Sequence, residues 1–274
     1  LGAVLAQPGE PEHPAVVNEA AEQPWLRINA GGHTAAVRAL AYTPDGKRLC
    51  SAGLDKIVQV WNLTAVGRDL RRVFLRERLI RWQVARGLRG SIYALASAPS
   101  DGLLALGGYG AEASAGDILL VNPVDGNLVK VLAGHRQTIS ALAFSADGNW
   151  LASSDAAGQA VLWQRGDWQP RILYEADGKT YDYQLAREIQ EQPKLRPITI
   201  VGNKEVVVPA CLGRDVDGRL GWKLQRIQIA NPGEFRTLDA AHHGMVSALA
   251  ASSDGALLAS ADLSGKLFLW DLKA

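Results

Sequence analysis

Hydrophobic residues along this chain fall in short runs separated by turn-forming residues. The first clear unit has apolar runs at residues 37–42, 48–52 and 57–61, with a Pro-Asp-Gly turn at 44–46 between the first two. Runs of about five or six residues that flank an Asp-Gly turn are typical of β-strands joined by a tight hairpin. Because the runs do not alternate cleanly between apolar and polar residues, we predict sheets that are covered on both faces.

This unit occurs three times in one register. Counted from a histidine, an Asp-Gly pair begins 12 residues later, a serine stands 18 residues later and a tryptophan 28 residues later. The histidines are His33, His135 and His242, the serines are Ser51, Ser153 and Ser260, and the tryptophans are Trp61, Trp163 and Trp270. A unit repeated at fixed spacing buries its apolar faces only by stacking on neighbours, so the sequence predicts a repeat fold.

Two further units keep the strand pattern but lack the histidine and the tryptophan. Their apolar runs begin near residues 92 and 198, and the first of them surrounds a turn at Asp101-Gly102. We therefore expect five blades within one domain, residues 24–274. Their approximate ranges are 33–75, 88–132, 135–174, 196–238 and 242–272.

The Gly-His start, the small serine-containing second strand and the closing Trp-Asn or Trp-Asp resemble the WD40-repeat family of β-propellers. The resemblance implies an all-β fold of four-stranded antiparallel blades. It also implies a buried relay in the first unit, in which Asp55 orients His33, His33 contacts Ser51 and Ser51 contacts Trp61. The residues at the position of Asp55 in the other two units are Ala157 and Ser264. We therefore expect those two relays to be incomplete.

Rings in this family usually have more than five blades, most often seven. We therefore expect the five blades to be part of a larger ring. The alternative is that residues 25–28 supply the outer strand of the last blade, pair with residues 267–271 and close a ring of five.

Composition narrows the class of protein. A chain of 274 residues with 47% hydrophobic content buries a substantial core without a second domain, and its net charge of +1 argues against nucleic acid or an anionic membrane as the partner. Residues 1–7 are apolar, with Val4 and Ala6 spaced like the small residues before a signal-peptidase site. We interpret residues 1–23 as a signal-peptide remnant and a disordered tether, which favours an exported or periplasmic location over the cytoplasm. The alternative is an ordinary disordered N-terminus.

Searches for catalytic and ligand-binding motifs find none. The chain has no Gly-x-Ser-x-Gly elbow, no His-Glu-x-x-His, no Cys-x-x-Cys and no phosphate loop. His242-His243 has no third metal ligand at a suitable spacing. We expect no enzymatic activity, no cofactor and no metal, and we assign the His, Ser and Asp residues of the relay to structure, since the serine lies inside a packed blade.

Three stretches are longer than the repeat requires, and the first is rich in arginine. With the outer strand of the first blade placed at residues 70–75, the extra residues at 76–89, 108–116 and 176–194 all decorate one face of the propeller, the side where partners usually bind. Residues 68–89 contain eight arginines, which pair with carboxylate or phosphate groups. The candidate partner-binding residues are Arg76, Arg78, Arg81, Trp82, Arg86, Arg89, Tyr109 and Glu112. The alternative is a solvated edge strand and loop.

Two functions remain open. The first is a non-catalytic scaffold for protein-protein interaction, with an acidic partner segment favoured by the arginines. The second is the sensor or regulatory propeller of a larger enzyme, because similar repeat arrays occur in bacterial multidomain proteins beside caspase-like peptidase or kinase domains.

Overall fold

The computed structural model describes residues 32–64, 75–81, 90–110, 116–174, 196–214, 220–238 and 242–273. The described residues from His33 onward belong to one compact unit and form five antiparallel sheets. The predicted signal-peptide remnant and tether, and the segment 25–28, lie outside the described residues. The all-β fold of stacked antiparallel blades is confirmed.

Each blade is a simple meander from an inner to an outer strand. Blade 1 contains β1 (Val37–Tyr42), β2 (Arg48–Gly53), β3 (Ile57–Asn62) and β4 (Leu75–Arg81). Blade 2 contains β5 (Ile92–Ser97), β6 (Leu104–Gly108), β7 (Gly116–Val121) and β8 (Leu128–His135). Blade 3 contains β9 (Ile139–Phe144), β10 (Trp150–Asp155), β11 (Ala160–Gln164) and β12 (Pro170–Tyr174). Blade 4 contains β13 (Thr199–Val201), β14 (Glu205–Arg214), β15 (Leu220–Gln228) and β16 (Phe235–Thr237). Blade 5 contains β17 (Val246–Ala251), β18 (Leu257–Asp262) and β19 (Leu267–Asp271).

The turn between the first two strands shows why Asp-Gly recurs in the sequence. Asp45 Oδ1 accepts hydrogen bonds from Thr43 Oγ1 at 2.6 Å and from the Lys47 backbone N–H at 3.0 Å. Gly46 has a φ of 64°, a conformation that glycine adopts without steric cost. The bond from Thr43, followed by that from Lys47, lowers the pKa of Asp45, so the carboxylate is ionised at neutral pH and holds the turn.

Successive blades pack through unlike faces. We call the face that carries the serine and tryptophan of the repeat the relay face, and the other the non-relay face. In blade 3, Trp163 on the relay face packs against Ile118 and Leu120 of blade 2. In blade 1, Val58 and Val60 on the non-relay face pack against the core of blade 2. The relay face of each blade therefore points to the preceding blade, and the non-relay face to the following one.

The outer strand of blade 1 lies further along the chain than the sequence predicted. The expected strand was residues 70–75, whereas β4 spans Leu75–Arg81 and pairs with β3 through Asn62 with Leu75 and Val58 with Ile80. The prediction followed apolar content, but an edge strand needs only one buried side, which Ile80 provides while charged residues face solvent. Residues 63–74 therefore connect β3 to β4, and residues 82–91 connect β4 to β5.

Long side chains also join the blades at their outer edge. Arg78 on β4 donates to the backbone oxygen of Asp125 at 3.0 Å, and Lys130 on β8 donates to that of Asp167 at 2.9 Å. Arg171 on β12 donates to the backbone oxygen of Ile229 at 3.1 Å. Each bond runs from an outer strand to the connection that precedes the outer strand of the next blade, so the rim repeats one contact three times.

Candidate functional site

The predicted relay residues of blade 1 are hydrogen bonded in one chain. Trp61 Nε1 donates to Ser51 Oγ at 2.8 Å, and Ser51 Oγ lies 2.7 Å from His33 Nε2. His33 Nδ1 lies 2.7 Å from Asp55 Oδ2. With the serine hydroxyl donating to Nε2 and Nδ1–H donating to the carboxylate, each group in the chain has a partner.

The relays of blades 3 and 5 are complete, which corrects the expectation drawn from Ala157 and Ser264. His135 Nδ1 lies 3.2 Å from Asp155 Oδ2, and His242 Nδ1 lies 2.9 Å from Asp262 Oδ2. The serine bonds are also present. His135 Nε2 lies 2.6 Å from Ser153 Oγ and His242 Nε2 lies 2.8 Å from Ser260 Oγ, and Trp163 and Trp270 donate to those same oxygens at 2.8 and 2.9 Å.

The aspartate comes from two different places, and the sequence carried a signal for both. Asp155 and Asp262 end the second strand of their blades, 20 residues after the histidine, whereas Asp55 lies in the following turn. Blade 1 has Gly53 at the strand-end position, and a Cβ there would lie 2.3 Å from the backbone oxygen of Ala36. No side chain fits at that site, so the carboxylate of blade 1 is supplied two residues later.

Asp262, in the relay of blade 5, has a lowered carboxyl pKa. Burial raises its pKa, but hydrogen bonds from Ser264, from His242 and from the backbone N–H groups of Lys266 and Ser264 outweigh burial. The resulting pKa lies well below the ordinary value for aspartate. The ionised form is therefore part of the folded state.

The relay has the residue types of a catalytic triad but not its accessibility. Ser153 and Ser260 are 0% and 1% exposed, and each serine oxygen already accepts a hydrogen bond from a tryptophan indole. A nucleophile needs space for the substrate beside its oxygen, and here that space holds the tryptophan. The arrangement ties the strands of one blade together.

The candidate partner-binding arginines lie in different environments. Arg76, Arg78 and Arg81 are on strand β4 and not in a loop, which corrects the predicted placement. Arg78 holds the rim of blade 2, so its guanidinium has a structural role. Tyr109 is half-buried beside β6, and its backbone N–H donates to the Ser91 oxygen at 3.0 Å. Trp82, Arg86, Arg89 and Glu112 lie outside the described residues.

The connections of each blade emerge on two sides. The lower side carries the turns between first and second strands and between third and fourth strands. The upper side carries those between second and third strands and from an outer strand to the next blade. The connection from β3 to β4 starts after Asn62 and ends before Leu75, and both of these strand ends are on the lower side. The prediction that all the extra residues share one side is therefore wrong for this part of the first insertion.

Cys50 provides a test of the packing between blades 1 and 2. Burial raises the pKa of its thiol to about 11, although Arg48 opposes this shift. At pH 8 this reduces the thiolate fraction on the order of 100-fold relative to an unfolded chain. In a Cys211→Ser background, we expect iodoacetamide to label the folded chain very slowly and the urea-unfolded chain rapidly, as measured by mass spectrometry. Equal labelling rates would contradict the described burial.

Two features are absent from the described residues. No three His, Cys, Asp or Glu side chains in these ranges are grouped so that they could hold a metal ion. None of the described residues forms a helix with the length and apolar character needed to cross a bilayer.

Comparison with known proteins adds to this geometry. The family model "WD domain, G-beta repeat" matches residues 27–62, 126–164 and 234–271. The chain is 26% identical over 165 residues to Protein HIR1 of Candida albicans, covering 60% of this chain and 15% of that protein. It is 28% identical over 131 residues to Transducin beta-like protein 3 of Bos taurus, covering 48% of this chain and 14% of that protein. The matches thus span only a small part of either relative.

The second and third matched segments begin just before an outer strand and run through the next three strands, so each includes parts of two adjacent blades. Residues 126–164 include β8 to β11, and residues 234–271 include β16 to β19. Each of these matched segments therefore contains four strands, as many as one complete blade. The chain thus contains three WD40 repeats, and its five blades stack through unlike faces as expected of a WD40-type β-propeller.

Proposed function

We propose that the chain is a non-catalytic scaffold that binds an acidic segment of a partner protein on its upper side. The observation that carries this proposal is the distribution of charge between the two sides of the propeller. WD40 repeats support a role in protein interaction. The relay serines are buried, which supports a scaffold that does not act on a substrate.

The lower side is occupied by turn aspartates. Asp45, Asp147 and Asp254 each accept bonds within their own hairpin, and the pKa of each is lowered. Asp101 lies in the equivalent turn of blade 2 and pairs with Arg165. The turn chemistry of the repeat therefore builds negative charges into this side, beside its exposed lysines, Lys47, Lys204 and Lys273.

The upper side presents positive charge. Arg81 ends β4 at this side, Arg136 lies between β8 and β9, and Lys266 lies between β18 and β19, and all three are exposed. The longest connection between described strands, residues 175–198, joins β12 to β13 and therefore starts and ends on this side. Long connections on a rigid scaffold are where binding residues concentrate. Cations on such loops favour an acidic partner.

Charge reversal tests the side and the sign together. The upper-side variant is Arg81→Glu, Arg136→Glu, Lys266→Glu, and the matched lower-side control is Lys47→Glu, Lys204→Glu, Lys273→Glu. Each changes the net charge by the same amount at exposed positions. The probe is a panel of labelled Asp/Glu-rich peptides with neutral scrambled counterparts, measured by fluorescence anisotropy.

We expect wild type and the lower-side control to bind the acidic peptides equally. Binding by the upper-side variant should be weaker by about 10-fold or more, and wild-type binding should weaken as salt is raised, since exposed charges are screened. Equal loss in both variants would show that only net charge matters. Failure of the wild type to bind any acidic peptide would contradict the proposed partner chemistry.

A further inference from the structure

The Asp-Gly turns of this chain contain two neighbouring groups that can react with each other. The glycine backbone nitrogen attacks the aspartate Cγ, since glycine has no side chain to hinder the approach. A C–N bond forms and closes a succinimide ring, while the carboxyl hydroxyl takes the amide proton and leaves as water. Water then opens the ring at either of its carbonyl groups. The product is aspartate or isoaspartate, in which the backbone runs through Cγ.

The structure describes five of these Asp-Gly pairs. In each of them the glycine N–H donates to a backbone oxygen of its own turn at 2.8 or 2.9 Å, so this bond does not distinguish them. Two further pairs, at 177–178 and 217–218, lie outside the described residues. The described pairs begin at Asp45, Asp101, Asp125, Asp147 and Asp254.

In the turns of blades 1, 3 and 5 a hydroxyl group holds the aspartate. The residue two positions earlier is Thr43, Ser145 or Ser252, whose Oγ donates to the aspartate Oδ1 at 2.6, 2.5 or 2.6 Å. The backbone N–H two residues after the aspartate donates to the same oxygen at 3.0 Å in each turn. Burial raises the pKa of Asp147, but its hydrogen bonds outweigh burial, and in all three turns the aspartate pKa is lowered. Because an ionised carboxylate has no hydroxyl to release as water, these turns are protected against ring closure.

The turn of blade 2 that contains Asp101 is held by contacts with other blades. Asp101 Oδ2 accepts a hydrogen bond from Arg165 of blade 3 within an ion pair. Gly102 is buried, and a Cβ built on it would lie 3.2 Å from the side chain of Pro44 in blade 1. The ion pair fixes the carboxylate and the packing restricts the glycine, so this turn is also protected.

Asp125, in the turn between β7 and β8, has neither kind of protection. The residue two positions earlier is Pro123, which has no hydroxyl group. Among the described residues, the exposed Asp125 carboxylate accepts only from the Asn127 backbone N–H at 2.8 Å and from Asn122 Nδ2 at 3.2 Å, and both donors are uncharged. A Cβ built on Gly126 would be 3.5 Å from its nearest neighbour, an ordinary contact distance. This aspartate is therefore the least constrained of the five.

Arg78 in addition activates the nitrogen of this pair. Its Nη1 donates at 3.0 Å to the backbone oxygen of Asp125, and this oxygen belongs to the peptide bond that contains the Gly126 nitrogen. As the nitrogen loses its proton, negative charge develops on the peptide oxygen, where a fixed cation stabilises it. The equivalent rim bonds from Lys130 and Arg171 do not act on Asp-Gly pairs.

We propose that Asp125 is a site of spontaneous isoaspartate formation, and that it reacts faster than the other described Asp-Gly pairs. The net reaction releases a water molecule and takes one up again, so the mass of the chain is unchanged. Because the backbone of the product runs through Cγ, the oxygen that Arg78 binds is displaced. The reaction therefore alters the rim contact between blades 1 and 2.

The test is ageing of the folded 274-residue chain at mildly acidic pH and physiological temperature. Peptide mapping with electron-transfer fragmentation locates isoaspartate at each Asp-Gly pair, and a purified isoaspartyl methyltransferase with labelled S-adenosylmethionine measures the total. The same chain aged in urea shows the reactivity of each pair without its turn. Arg78→Gln removes the cation and keeps an N–H donor, and Lys130→Gln is the matched control at the next rim contact. Circular dichroism checks the fold of both variants.

We expect isoaspartate in the folded wild type to accumulate about 10-fold faster at Asp125 than at the other four described pairs, the effect of one charge-assisted hydrogen bond on a barrier. In urea the five rates should converge. Arg78→Gln should slow the reaction at Asp125 several-fold, whereas Lys130→Gln should leave it unchanged. The proposal would be overturned by a faster or equal rate at another of the five pairs, by an excess at Asp125 that persists in urea, by a rate at Asp125 that Arg78→Gln does not lower, or by an equal fall in Lys130→Gln.

Discussion

Replacing Trp163 with alanine should lower the free energy of unfolding by about 3–5 kcal/mol, as expected for truncation of a fully buried aromatic side chain. Trp163 is 0% exposed, packs between blades 2 and 3, and donates its indole N–H to Ser153. Urea unfolding monitored by circular dichroism gives the free energy, provided that the transition is two-state.

Trp61 is the matched control for this prediction because it holds the same position in blade 1. It donates to Ser51 in the same way but is only half-buried. We therefore expect Trp61→Ala to cost less than Trp163→Ala. Equal costs would mean that the hydrogen bond, which both share, sets the effect, and that packing between blades contributes little.

Replacing Asp262 with alanine should have the second largest effect, a loss of about 1–3 kcal/mol or somewhat more because the removed acceptor is charged. Asp262 accepts bonds from His242 at 2.9 Å and from the backbone N–H groups of Ser264 and Lys266 at 2.9 and 3.1 Å. Removal leaves these donors without their acceptor inside a blade.

The effect of Asp262→Ala should depend on pH in one direction. The folded pKa of Asp262 is lowered below the unfolded value of about 3.9, so the carboxylate stabilises the fold at and above that pH. As pH falls through the folded pKa the wild type loses this contribution, and the difference between wild type and variant should shrink. Ser264→Ala, which removes one donor to Asp262, should cost less at neutral pH. A difference that stays constant down to the lowest accessible pH would contradict the assigned role.

The fold could be predicted from the spacing of the repeated histidine, serine and tryptophan residues. His135, Ser153 and Trp163 stand at fixed distances, and fixed distances in an antiparallel meander fix which side chains meet across strands. The partner of the histidine was harder to assign. Its aspartate comes from the end of a strand in two blades and from a turn in the third, because only glycine fits beside Ala36 at position 53. That close approach of two backbones is a property of packing, and its mark in the sequence is the single glycine at position 53.

The position of β4 and the exposure of single residues in blade 5 could not be predicted, for different reasons. Strand β4 is rich in charged residues, whereas the segment before it is more apolar. One buried residue, Ile80, is nevertheless enough to pack an edge strand against the blade. Leu267 and Leu269 have the same character as the buried residues at equivalent positions of blades 1 to 3. No sequence pattern distinguishes them, because their exposure depends on what lies next to the blade.

The bonds from Arg78, Lys130 and Arg171 to the following blade have a consequence for how such a chain can change in length. Each donor reaches a backbone oxygen, which every residue type supplies, so the acceptor places no demand on the sequence of the next blade. Duplication or deletion of one complete blade therefore brings a donor beside a new backbone oxygen of the same kind. Gain and loss of whole repeats preserves the rim contacts, whereas insertion of part of a blade would leave them out of register.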